Sequence, residues 1–297
     1  MPRRLLPLLC AACAAAPLPE DPEKILREAE SLLADGRASA AADLLERVGE
    51  EPFGRALGDR YEFALGSALF AADRPYDAFL AIRDFADDHP ASDLRARVAS
   101  LEHEIGRSLV KRGGGFLFFW SDLRAGKECL EHLVTRYPDS EQMADSLRML
   151  GDIEFDAGNH AMAQERYRDL LRRFPESEWA PYARYRYAMS LVATLRGPDY
   201  DLDAMEHASK ELADFLADPP EHPEFAARAR EALDRVTGWR AERYWSIAQF
   251  YKRIGNTYGY EHHLRKAASE EFAGTRSGQR ARRELDSIRA SSAGAGG

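Results

Sequence analysis

Between Ser140 and Ser177 apolar residues recur at intervals of three and four: Met143, Leu147, Leu150, Gly151 and Phe155, then Ala163, Tyr167, Leu170, Leu171 and Phe174. Such intervals stack side chains on one stripe of an α-helix. Ala157-Gly158-Asn159 separates the two runs, so the stretch predicts two short amphipathic helices joined by a tight turn. Pro175 stops the second, because its ring removes a donor and clashes one turn back. Gly151 and Ala163 are small where two helices would have to approach closely. The same order returns upstream: Leu65, Gly66, Phe70, Ala78, Ile82, Phe85 and Pro90 correspond to Leu150, Gly151, Phe155, Ala163, Tyr167, Leu170 and Pro175. A fainter copy lies at Ala29, Gly36, Ala41, Leu45 and Val48. One such hairpin cannot bury its own apolar face, so the pattern predicts an all-α solenoid of stacked hairpins.

Leu147, Leu150, Gly151, Ala163, Tyr167 and Pro175 fall in the register of the tetratricopeptide repeat, which runs W-x2-L-G-x2-Y, then A-x3-F, then P. The stretch resembles that repeat, with Leu147 in place of the Trp and Glu154, beside Phe155, in place of the Tyr. The resemblance implies a right-handed superhelical solenoid of antiparallel helix pairs, about six of them over residues 23–290.

Along the chain, Glu23 to Val48 reads as the first pair, turning at Asp35-Gly36-Arg37, and Arg55 to Ala72 with Pro75 to Asp88 as the second. Pro75 suits a first helical position. Ser92 suits the cap of a helix running to about Arg112, since its hydroxyl can accept from the free amides. Gly113-Gly114-Gly115 then interrupts the repeat, and Pro90 to Pro138 is a longer interval than Pro138 to Pro175. The apolar residues after the glycines, with Phe116, Phe118, Phe119 and Trp120, either fold back to plug the groove or an edge of the solenoid, or form an exposed patch for a partner. Ser121 to Tyr137 resumes the repeat. Glu178 to Leu195 is Tyr-rich, Arg196 to Asp201 is a second insertion, and a helix follows from Leu202 to Leu216. Phe225 to Gly255 reads as one long helix or two meeting near Gly238. A helix from Glu261 to Phe272 and an Arg-rich capping helix from Arg276 to Arg289 come last, before a tail, residues 291–297, expected to be disordered.

Composition narrows the class. Of 297 residues, 45% are hydrophobic and 31% charged, which suits a folded chain, and the formal net charge of -9 disfavours nucleic acid as the main partner. No apolar run approaches the ~20 residues needed to cross a bilayer. The first residues differ from the rest: Arg3 and Arg4, an apolar run from Leu5 to Ala12, then small residues, the layout of a secretory signal. Leu9-Cys10-Ala11-Ala12-Cys13 resembles a bacterial lipobox with Cys13 as the lipidated residue, though Cys10 stands where Leu is usual. Ordinary cleavage near Ala14 to Ala16, or no export, are the alternatives. Residues 1–13 are thus read as signal and lipobox and 14–22 as a tether. Cys129, the third cysteine, reads as a small core residue.

No sequence trace of catalysis is present: no G-x-S-x-G, no G-x-x-x-x-G-K and no H-E-x-x-H. The adjacent His262 and His263 diverge by about 100° on a helix and would chelate one ion poorly. Neither an enzyme, a cofactor nor a metal is expected. Stacked hairpins instead make a groove lined mainly by the first helix of each pair. By the repeat resemblance its inward positions are Phe63 and Ser67, Arg148 and Asp152, and Tyr185 and Met189. Phe70 and Phe155 lie one turn on, either in the groove or as core between helices, and Arg60 and Tyr182 take a matching outer position. Aromatic rings beside Arg suit an extended peptide with aromatic side chains or a terminal carboxylate, which Arg can pair bidentately.

The lipobox, the Pro-rich tether, the turns HPAS, YPDS and FPES, and the late Ala241-Glu242 to Tyr251-Lys252-Arg253 segment followed by EEFAGTRSGQRAR together resemble the BamD family of outer-membrane assembly lipoproteins. That family's late repeat has a similar A-E start, a Y-x-K-R-G end and a Y-P-G-T segment. Here Ile254 intervenes before Gly255, and Phe272-Ala273 replaces Tyr-Pro. The resemblance covers roughly residues 55 to 285. It implies a non-enzymatic, lipid-anchored protein on the periplasmic face of the outer membrane. Its first repeats would receive the terminal strand signals of unfolded outer-membrane proteins, and its later repeats would dock on the β-barrel assembly subunit. A periplasmic scaffold for cell-wall or pilus-secretin assembly is the rival binding role, and an exported enzyme the rival class.

Overall fold

The computed structural model describes residues 21–49, 56–113, 120–218 and 223–294. Among them there is no strand, and the chain forms two compact units, residues 1–140 and 141–297. In the first unit α1 (Pro22–Ala34) pairs with α2 (Ala38–Gly49), and α3 (Asp59–Ala71) with α4 (Pro75–Ile82), which is followed by the short α5 (Phe85–Asp88). Then α6 (Arg95–Gly113) pairs with α7 (Trp120–Arg136), while α1 and α6 both touch α3. Helices thus pack in antiparallel pairs, with α2 on α3, α4 on α6 and α1 on α3 joining one pair to the next, an all-α arrangement of stacked pairs. In the second unit α8 (Met143–Asp156), α9 (His160–Arg173), α10 (Ala180–Thr194), α11 (Leu202–Ala217) and α12 (Pro223–Arg253) pack in the same serial fashion. α13 (Thr257–Ala267), a 3-10 turn (Glu270–Phe272) and α14 (Arg276–Gly294) complete it.

The hairpin turns share one hydrogen-bond pattern. Arg37 N–H donates to Leu32, Arg74 to Leu69, Asn159 to Glu154 and Asn256 to Tyr251, at 2.8–3.0 Å, closing each first helix from three residues beyond its end. This closure needs a left-handed residue, supplied by Gly36, Gly158 and Gly255, and in the second pair by Asp73 with φ 65°. Close approach is as legible. A Cβ on Gly151 would lie 2.5 Å from the Tyr167 ring, and one on Gly66 would strike Ile82. Ala163, Tyr167 and Leu170 are fully buried opposite Leu147 and Leu150.

Several boundaries differ from the sequence expectation. The expected helix from Pro75 to Asp88 breaks at Arg83-Asp84. α12 is one helix of 31 residues that passes straight through Gly238. It stays whole because Ala229, Ala232 and Val236 pack with α11, while Ala248 packs with α13 and α14. The helix expected from Glu261 begins at Thr257, capped by Asn256, whose side chain accepts from Gly259 N–H at 2.9 Å. α14 continues to Gly294, past the point where a disordered tail was expected. Cys129 is fully buried, and burial pushes its thiol well up from its usual range. None of the described helices is long and apolar enough to cross a membrane.

Glu284 ties α14 to the rest of the second unit. It accepts from Tyr260 Oη at 2.6 Å and Gln249 Nε2 at 3.2 Å and pairs with Lys252. Burial works to raise its carboxyl, but Lys252, Tyr260 and Gln249 together hold it below its ordinary 4.5. A carboxylate depressed in the folded state binds its proton more readily when unfolded. Its stabilisation is therefore present above pH 4.5 and lost as pH falls through the depressed value. Glu284→Gln should flatten the acid limb of the stability profile, read from urea midpoints above and below pH 4.5.

Candidate peptide-binding cleft and its arginine clusters

Helices α1, α3 and α6 frame a cleft of about 270 Å³ in the first unit. Leu26, Ala29, Leu33 and Ala64 give it an apolar wall, Glu30 lines it beside Arg60, and the expected groove residues Arg60, Phe63 and Ser67 all line it. Phe70, one turn on, is half-buried and does not line it. Arg97, which repeat spacing did not single out, lies with its guanidinium 4.5 Å from the Phe63 ring centroid. A cation over an aromatic face is attracted by the ring's quadrupole and keeps its N–H groups for a third party. Arg60 pairs with Glu23 at 2.5 Å, but both side chains are about half exposed, 53% and 48%. Exposed pairs of this kind contribute little, so the Arg60 charge can be recruited by a stronger anion.

In the second unit the expected residues converge differently. Asp152 on α8 is a shared acceptor. Its Oδ1 takes Tyr167 Oη at 2.7 Å, Tyr182 Oη at 2.8 Å and Arg186 Nε at 3.2 Å, and its Oδ2 takes Arg148 Nη1 at 2.8 Å. Arg148 also pairs with Asp145, and its guanidinium lies 4.3 Å from the Trp179 ring centroid. Arg186 lies 3.9 Å from the Phe155 centroid and also reaches Asp156. Burial, then the Asp152 charge, push both phenols well above their usual range, so both remain donors. Arg148, Asp152, Phe155 and Tyr182 come together, but their polar groups are used on one another. Arg148, expected to offer its charge to a peptide, is instead locked between Asp145 and Asp152. Arg186 and the Tyr167 hydroxyl were missed because their partners lie well away in sequence.

Two expected groove residues are corrected outright. Tyr185 is 5% exposed and stacks on Phe225 at 4.7 Å and against Phe215 at 5.6 Å. Met189 packs against the same core. Both face α11 and α12, whose apolar residues claim them. Glu154, at the Tyr position of the repeat, is 2% exposed and accepts from Asn159 Nδ2 at 2.9 Å, bracing the hairpin turn. Cys13, Phe116, Phe118 and Phe119 lie outside the described residues, and of Trp120 only its place at the start of α7 is described. His263 stacks on Tyr251 with 6° between the ring planes, beside an exposed His262.

No curated protein matches the chain significantly. Among solved structures it is similar to a tetratricopeptide repeat protein from Parabacteroides merdae ATCC 43184, at 11% identity and a TM-score of 0.41, over 82% of this chain and 91% of that one. Residues 118–260, from before α7 into α13, match the family model YfiO, described as an outer membrane lipoprotein, and it is this BamD-like family that the chain resembles.

Proposed function

We propose that the chain is a non-enzymatic scaffold of the outer-membrane β-barrel protein assembly machinery. Lipid on Cys13 holds it at the periplasmic face, and the cleft of the first unit receives extended segments of unfolded outer-membrane proteins. One observation carries the reading: an apolar cleft between three helices that presents an aromatic ring, Phe63, beside two cations, Arg60 and Arg97. An extended peptide ending in an aromatic residue would set its ring on the apolar floor and its terminal carboxylate near the guanidinium groups. The second unit supplies the surface for a partner subunit. Phe250, Ile254 and Tyr258 are 48%, 58% and 82% exposed where α12 passes into α13, which is unusual for large apolar side chains.

Titration of a fluorescent peptide with an aromatic C-terminal residue should give micromolar affinity. Phe63→Ala and Arg97→Ala should each weaken it by roughly tenfold or more, the loss of one buried anchor or one charge-assisted contact. Equal affinity in the parent and both variants, with unchanged circular dichroism, would remove the cleft from the reading.

A further inference from the structure

Four turns of one kind close helix pairs, at His89–Ser92, Tyr137–Ser140, Phe174–Ser177 and Phe272–Thr275. In each, the N–H of the fourth residue donates to the carbonyl of the first at 3.0–3.1 Å. In three of them the hydroxyl at the fourth position is in use. Ser92 Oγ accepts from Leu94 N–H at 3.0 Å and donates to Asp59 at 2.5 Å. Ser177 Oγ accepts from Trp179 N–H at 3.2 Å, and Thr275 Oγ1 from Gly278 N–H at 3.0 Å. The Ser140 hydroxyl is buried with no partner, and so is the hydroxyl of Tyr137, a residue only 4% exposed.

The preceding repeat shows what is missing. There His89 pairs with Glu62 at 3.1 Å and Ser92 with Asp59, so two carboxylates of α3 meet the two turn residues. The third pair has the same frame: Gly66 abuts Ile82 as Gly106 abuts Leu130. Ala99 stands before Gly106 where Asp59 stands before Gly66, and Glu102 stands where Glu62 stands. Glu102, however, is drawn to His132 at 2.7 Å, and Ala99 has no carboxylate. The space left is a cleft of about 220 Å³ lined by Arg95, Ala96, Ala99, Tyr137 and Ser140, with Pro138 and an exposed Asp139 completing it. The Arg95 guanidinium lies 5.3 Å from the Tyr137 ring centroid and spends one N–H on the Ala86 carbonyl at 3.0 Å. Its other N–H groups remain. Burial, then the charge of Glu102, keep the Tyr137 phenol protonated.

We propose that this cleft binds a carboxylate of a polypeptide partner, seated where Asp59 sits one repeat earlier, accepting from Ser140 and Tyr137 and facing Arg95. A buried hydroxyl without an acceptor is costly, and an incoming carboxylate relieves two of them while gaining an arginine. Asp139 and the buried Glu102 both oppose a further negative charge; the exposure of Asp139 leaves its share screened by solvent, and the His132 contact draws Glu102 away. The inference does not depend on the peptide cleft of α1, α3 and α6.

The test is an NMR titration of the full chain, following the Arg95 Nε–H resonance. The probes are N-acetylglycine, which carries a chain-terminal carboxylate, N-acetylaspartate N-methylamide, which carries a side-chain one, and acetamide as the neutral control. A saturable shift is expected for the carboxylates with a millimolar Kd, and at least roughly tenfold weaker binding for acetamide. The tighter of the two carboxylates assigns the source. Ala99→Asp supplies the missing group internally and should abolish the shift, Ser140→Ala should weaken binding several-fold, and Asp139→Asn should tighten it. The proposal is overturned if neither carboxylate saturates, if acetamide binds as well, or if both Ala99→Asp and Ser140→Ala leave the titration unchanged.

Discussion

An Asp152→Ala variant should unfold at a clearly lower urea concentration than the parent, with a loss of about 3 kcal/mol. Four donors converge on this one carboxylate, two phenols and two guanidinium groups. The Arg186 side chain is 16% exposed and held against Phe155, so it cannot turn to water when its acceptor is removed. Removing one member of a buried pair leaves the other uncompensated, which typically costs about 3–5 kcal/mol. Asp152 itself retains 21% of its side-chain exposure, and Arg186 keeps a contact with Asp156, which places the expectation at the lower end. Asp152→Asn retains an acceptor oxygen for the tyrosines while losing the charge, and should cost about 1–2 kcal/mol. An Asp152→Ala midpoint equivalent to a loss under about 0.5 kcal/mol would mean that the four contacts to this carboxylate do not hold α8 to its neighbours.

The repeat frame was legible because it depends on local features. Gly151 and Gly66 had to be small where a helix crosses, Gly158 had to be left-handed, and Pro90, Pro138 and Pro175 each follow the end of a helix. Spacing reports such things directly. It does not report which side of a helix meets which neighbour when apolar or aromatic residues surround the axis. In α10, Tyr182, Tyr185 and Tyr187 point three ways, so the repeat register had to choose a face, and it placed Tyr185 and Met189 in the groove. The long helix α12 decided otherwise by bringing Phe225 against Tyr185. Polar partnerships were hidden for a related reason. Nothing in the neighbourhood of Asp152 along the chain announces Tyr182 or Arg186, and nothing near Glu102 announces His132. In the first-unit cleft, Arg60, Phe63 and Ser67 could be named because they sit on one face of a single helix, whereas Arg97 and the α1 residues Leu26, Ala29 and Leu33 come from other helices.

Tyr185→Ala separates the two roles that register and packing assign to that position. As a core residue, the ring fills the space between α10, α11 and α12, stacked on Phe225 and tilted against Phe215. Truncation removes the transfer free energy of the ring and leaves a cavity whose walls can close only partly. The expected loss is about 3–5 kcal/mol, measured as a shift of the urea midpoint with an unchanged slope. Surrounding residues include Ala188, Leu212 and Val236, none of which can reorient a polar group into the gap, so the cavity should stay dry. Peptide affinity at the α1–α3–α6 cleft should be unaffected in the folded variant, since Tyr185 does not line that cleft. The opposite pair of results, stability within about 1 kcal/mol of the parent and a tenfold loss of peptide affinity, would return Tyr185 to the recognition surface and displace Phe63 and Arg97 from it.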